Sequence, residues 1–185
     1  MPTPPWIHSA PLPYEAQLAL RKPGDITLVV IHCTELPDLA MAREYGERAL
    51  YENGTGNSGH FYIDRDGHVA QYVALDRVAH HVRGQNAHSL GIELVNRGRY
   101  PHWLDSRHQA MDEDYPEAQL RALEDLLRWL RAEVPSINAI AGHEALDTTL
   151  EAATDDPAVQ VRRKLDPGPR FPWPRIQSVF DGAGG

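Results

Sequence analysis

Ile26-Thr27-Leu28-Val29-Val30-Ile31 is the stretch from which the fold of this chain is read. It is nearly continuously apolar and β-branched at most positions, the pattern of a strand buried on both faces in the middle of a sheet. His32 stands where that strand ends. Towards the C-terminus, Asp38 is placed to cap a helix running to about Asn53, with Leu39, Ala42, Ala49 and Leu50 on its inner side and Gly54 as its stop. His60 to Asp64 and His68 to Val73 flank Asp66-Gly67 and read as a hairpin. Ser89 to Val95 is another buried strand, with Glu93 in its middle. Asp114 and Glu117, around Pro116, resemble the capping pair of a helix whose buried stripe is Leu120, Leu123, Leu127 and Leu130 and which ends before Pro135. Ile137 to Ala141 is a last short strand, and Gly142-His143 closes it. This order gives a single α/β domain, a central mixed β-sheet flanked by helices on both faces.

Around that core, proline-rich residues 1–25 read as an irregular arm, and residues 26–180 as the domain proper. Residues 97–115 form a long connection of the kind that is more often functional than filler. Ala145 to Val161 turns acidic and polar and reads as a surface excursion. The chain of 185 residues carries a formal net charge of −8, which argues against a nucleic-acid partner. No apolar run is long enough to span a bilayer, so no membrane partner is expected. A single cysteine, Cys33, excludes an intrachain disulfide and leans towards a reducing compartment. The N-terminus lacks the basic and apolar regions of a signal peptide. The cytoplasm is therefore expected, with the periplasm as the alternative if a leader has been removed, and a monomer is expected.

The chemistry is carried by strand ends. His32 and His143 each follow a buried strand, where sites collect in open α/β sheets. In Arg162-Arg163-Lys164-Leu165-Asp166-Pro167-Gly168-Pro169, two prolines stiffen the backbone and hold the Asp166 carboxylate in a fixed place. Two imidazoles and a carboxylate are the ligands a catalytic zinc takes, one ion per chain, with the fourth position left to water. With ten histidines in the chain, spacing alone does not select these two from packing residues. Glu93 inside an apolar strand is costly unless paired. It is either half of a salt bridge or a general base with a raised pKa. Lys164 would then stabilise negative charge on a substrate oxygen.

Several motifs recur together in order: V-V-I-H-C-T at 29–34, S-G-H-F-Y-I-D-R-D-G at 58–67, L-D-R-V-A-H-H at 75–81, N-A-H-S-L-G-I-E-L at 86–94, A-G-H at 141–143 and K-L-D-P-G-P at 164–169. In these the chain resembles the zinc-dependent N-acetylmuramoyl-L-alanine amidases, a family that includes anhydro-muropeptide amidases of wall recycling, T7-type lysozyme and the peptidoglycan recognition proteins. The resemblance covers roughly residues 26–174. It implies zinc on His32, His143 and Asp166, a catalytic Glu93 and Lys164, and cleavage of the amide between muramic acid and L-alanine. Peptidoglycan fragments, muropeptides above all, are the implied partners.

Asp as third ligand and Glu in G-I-E resemble the bacterial recycling branch. Gly59 stands where the phage branch has tyrosine, and His80 where many relatives have tryptophan. His81 is the matching histidine and is expected to contact substrate, and Arg97, Arg99, Tyr100 and Trp103 are expected to help wall the substrate groove. His60 reads as a packing residue or a support to a ligand. Ala145–Arg163 is longer than in typical relatives. The competing readings are a lytic or secreted amidase acting on intact wall, and a peptidoglycan-binding module without turnover.

Overall fold

In chain order the computed structural model, which describes residues 3–182, has β1 (Ile7–Ser9), β2 (Leu28–Cys33), α1 (Leu39–Glu47), β3 (Phe61–Ile63), β4 (Val69–Gln71), β5 (Ser89–Leu94), α2 (Glu117–Glu133), β6 (Ala139–Gly142), α3 (His143–Leu146), β7 (Leu150–Ala152), β8 (Gln160–Arg162) and α4 (Trp173–Gly182). Six strands form one sheet in the order β1-β4-β3-β5-β2-β6. Only the β3–β4 hairpin is antiparallel; the other neighbours run parallel. β2 and β5 lie inside the sheet, and both faces are covered, as their apolar sequences require.

Strand alternation divides the central residues between two layers. Val29, Ile31 and Cys33 of β2, Phe61 and Ile63 of β3, and Leu90, Ile92 and Leu94 of β5 point into the core under α2 and α4. Leu120, Leu123, Leu126, Leu127 and Leu130 of α2, with Ile176 and Phe180 of α4, complete it. The intervening residues face the other way. There α1 covers part of the sheet, with Ala42 packed beside Tyr62, Tyr72, Leu12 and Tyr14. On this face β3, β5 and β2 bring Tyr62, Glu93 and His32 into one cross-strand row, Tyr62 opposite Glu93 and Glu93 opposite His32.

Some local expectations change. The helix capped by Asp38, whose side chain accepts from Met41 N at 2.8 Å, ends at Glu47, short of Asn53. The chain turns because Leu50 N and Tyr51 N both bond to Thr55 O, and Leu50 is left 59% exposed instead of in the core. Asp114 does not cap α2; it pairs with Arg170, while Glu117 meets Arg121 and Arg175. Of the expected irregular arm, residues 1–2 lie outside the described residues. The remainder supplies the edge strand β1 and buries Leu12, Tyr14 and Leu18. Prolines are compatible with a strand at a sheet edge. The acidic excursion folds as the β7–β8 hairpin. The helix α4 was not expected, although Trp173, Ile176 and Phe180 sit at helical spacing. No helix among the described residues is long and apolar enough to cross a membrane.

Candidate active site

His32 projects from β2, His143 opens α3 after β6, and Asp166 lies on the rigid segment after the hairpin. Asp166 is held in place by its backbone: its carbonyl accepts from Glu144 N at 3.0 Å, and the next carbonyl, of Pro167, accepts from Tyr115 Oη at 2.6 Å. All three side chains are buried. His32 Nδ1 stands 2.9 Å and His143 Nδ1 3.2 Å from the same oxygen, Asp166 Oδ2.

Hydrogen bonding fixes which atoms carry protons. Ser89 Oγ donates to Gln85 O at 2.9 Å, so its lone pair is left to accept from His81 Nε2 at 3.1 Å. A neutral His81 then has a bare Nδ1, which accepts from His32 Nε2 at 3.0 Å. Burial lowers the His32 pKa to about 4 against the pull of Asp166, so this ring is neutral near pH 7 and its Nδ1 is bare as well. A bare ring nitrogen therefore faces a carboxylate oxygen at van der Waals distance or closer. Lone pairs converging this way call for a cation between them. Zinc bonds of about 2.0–2.1 Å in tetrahedral geometry put ligand atoms about 3.3 Å apart, close to the spacing observed. The residues present fit a zinc ion.

Glu93 Oε1 lies 4.0 Å from His32 Nδ1. Burial, with a contribution from the Asp166 charge, pushes its pKa up to about 8, and Lys164 partly offsets this. Lys164 has no hydrogen bond or ion pair among the described residues. His32, Glu93, His143, Lys164, Asp166 and Trp103 share one groove of about 820 Å³.

The residues expected to contact substrate separate. Trp103 lines the groove, its Nε1 donating to Glu35 O at 3.1 Å. Arg97 does not reach the groove; it is exposed, and its backbone N donates to Glu113. His81 borders the groove, but both its ring nitrogens are engaged by His32 and Ser89, so it supports a candidate ligand instead of offering a free contact. His60 is a packing residue: its Nδ1 accepts from Gly91 N at 3.1 Å, and its Nε2 lies between Arg21 Nη2 at 2.6 Å and Arg77 O at 3.1 Å. Ser89 and the pairing of Arg99 with Glu35 were not read from the sequence. Ser89 shares the site face with Gly91 and Glu93 by strand alternation, which could have revealed it. The buried Glu35–Arg99 pair joins segments far apart in the chain, and no spacing signals it.

Fold and site together define an α/β protein with a candidate metal centre of two imidazoles and one carboxylate. Residues 22–169 match the family described as N-acetylmuramoyl-L-alanine amidase, and the chain belongs to that family. It is 32% identical over 131 residues to the 1,6-anhydro-N-acetylmuramyl-L-alanine amidase AmpD of Salmonella typhimurium strain SL1344. That match covers 66% of this chain and 56% of the relative, so little more than half the relative's length is spanned. Among solved structures, the N-acetylmuramoyl-L-alanine amidase LysC from Clostridium intestinale URNW superposes with a TM-score of 0.68 at 20% identity, covering 97% of this chain and 99% of that one. The AmiD amidase of E. coli, solved with anhydro-N-acetylmuramic acid-L-Ala-D-γ-Glu-L-Lys, gives 0.61 at 23% identity, over 84% of this chain and 57% of that one. At these identities the structures establish the fold.

Proposed function

We propose that this chain, with residues 26–180 as its catalytic unit, is a zinc-dependent N-acetylmuramoyl-L-alanine amidase. Its substrates are soluble muropeptides released in wall recycling, in the cytoplasm, and it acts as a monomer. The observation that carries the reading is the convergence of His32 Nδ1, His143 Nδ1 and Asp166 Oδ2, with Glu93 beside them and Lys164 on the same groove. His32, His143 and Asp166 would hold the zinc, which supplies Lewis acidity and acidifies water.

Glu93 accepts the proton of the attacking water and returns it to the leaving amine of L-alanine. A carboxylate with a raised pKa is suited to both transfers. Lys164 places a positive charge against the oxygen of the lactyl carbonyl as negative charge develops there. Trp103, on the groove wall, contacts the bound fragment.

Purified protein would be incubated with anhydro-muropeptides and with intact sacculi, and the products resolved by mass. Release of free peptide from the soluble fragments, faster than from sacculi, is the expected result. Turnover of sacculi alone would replace recycling with a lytic role, and no product from either would leave a binding module.

A further inference from the structure

Outside the groove's reactive groups, Arg99 is the most completely bonded side chain among the described residues. It is buried, and its guanidinium forks onto Glu35, Nε to Oε1 at 2.7 Å and Nη2 to Oε2 at 2.8 Å. Nη1 reaches Gln109 Oε1 at 3.1 Å and Arg162 O at 2.9 Å, and Nη2 also reaches Arg163 O at 3.2 Å. Each of the five N–H bonds that an arginine side chain owns therefore has an acceptor. Lysine, a point charge with three donors, cannot reproduce that pattern.

What Arg99 joins gives it a role. Glu35 lies just beyond β2, three residues after His32, and holds a left-handed backbone at φ 49°. Its carboxylate also accepts from Arg99 N at 3.2 Å, and its carbonyl accepts from Trp103. A side chain on Gly98 would strike Glu35 Cγ at 2.6 Å, so the loop can close on Glu35 only with glycine there. The two carbonyls at the far end of the fork belong to Arg162 and Arg163, the residues directly before Lys164. Asp166, by contrast, has its own anchors in Glu144 and in Tyr115, which bonds the next carbonyl. The fork thus spans from the strand that carries His32 to the backbone that carries Lys164.

We propose that Arg99, seated on Glu35, is the positioning residue for Lys164, and that the loop of residues 97–115 serves to brace the lysine against the site. The inference rests on the role given to Lys164 above. Loosening the fork should let the Lys164 ammonium drift from the developing oxyanion while the metal ligands stay where they are.

The test is a double-mutant cycle on the zinc-loaded enzyme, with zinc content and thermal melting recorded for every variant. Arg99→Lys should lower kcat about tenfold with KM little changed, and by less than about twofold when Lys164 is already alanine. On a Glu93→Gln background the full loss should persist, because no hydrogen bond joins Glu93 to Arg99 and the Arg99→Lys change keeps the charge of the fork. Glu35→Gln, which keeps the shape of the fork's acceptor, should give the same pattern and serves if Arg99→Lys does not fold. Zinc retention against a chelator should match wild type. Full additivity with Lys164→Ala, or loss of zinc in step with activity, overturns the proposal while leaving the amidase reading intact. Absence of product from the wild-type enzyme is the separate outcome that removes the reading itself.

Discussion

Gly59 and Glu93 share a space that holds only one side chain: a Cβ on Gly59 would stand 2.8 Å from Glu93 Cγ and 3.1 Å from Gly91 O. Glycine at 59 therefore leaves the room that the Glu93 side chain occupies. Gly59→Ala is expected to displace Glu93 and lower kcat by up to about a hundredfold, the cost of a misplaced catalytic group. Zinc content should be unchanged. A Gly59→Ala enzyme with normal kcat would show that Glu93 tolerates displacement.

Glu93→Gln keeps the shape and removes proton transfer. A loss of at least about a hundredfold in kcat is expected, the scale of general acid–base catalysis. Steady-state kinetics on zinc-replete protein measure it. Near-normal turnover would remove Glu93 from the mechanism.

The same residue should leave a mark on the stability of the metal-free protein. Its folded pKa of about 8 lies above the ordinary 4.5, so between those values the native state keeps a proton that the unfolded chain has lost. Stability from this group falls as pH rises through that window. His32, held at about 4, acts oppositely and adds stability as pH rises from about 4 to 6.5. Denaturant titrations of wild type and Glu93→Gln across pH 5 to 8 separate the two. The variant should lose less stability towards pH 8, and parallel curves would contradict a carboxyl that stays protonated in the folded chain.

His81 should matter through the metal and not through the substrate. Its Nδ1 fixes the His32 tautomer, and removing such a support commonly costs about ten- to a hundredfold in metal affinity. His81→Ala is expected to lower zinc affinity in a competition titration, with activity recovered at high zinc. Asp166→Asn should weaken zinc further, and added zinc should raise the melting temperature in proportion to its binding. An unchanged zinc affinity in His81→Ala would return the residue to simple packing.

In the core, Leu127 of α2 is fully buried beneath the sheet. Leu127→Ala is expected to cost about 2–5 kcal/mol in chemical denaturation, through lost burial and the cavity left behind. An effect below about 1 kcal/mol would mean that the layer collapses to fill it.

The sequence made the central strands legible as short, nearly continuous apolar runs, and α2 legible by a long leucine stripe at helical spacing. His32, Glu93, His143 and Asp166 could be named because strand ends and an isolated carboxylate mark them, and because ordered motifs accompany them. What escaped depended on contacts distant in the chain. Leu50 resembled a core position, yet bonds from residues 50 and 51 to Thr55 turned the chain outward. Arg97 lay closer in sequence to the site than Trp103, but the turn at Arg97–Tyr100 directs it away. The tautomer chain from Ser89 to His32 joins residues eight and forty-nine positions apart, which only the packed sheet brings within reach.

The alternation that parts the leucine-packed layer from the groove makes this centre a matter of phase. Shifting β5 by one residue would turn Glu93 beneath α2 and present Leu94 to His32, exposing oil where charge is needed and burying charge where oil is needed. Each error penalises the same misfolded sheet. A chain that has paired these strands stably has already set its carboxylate beside its histidine.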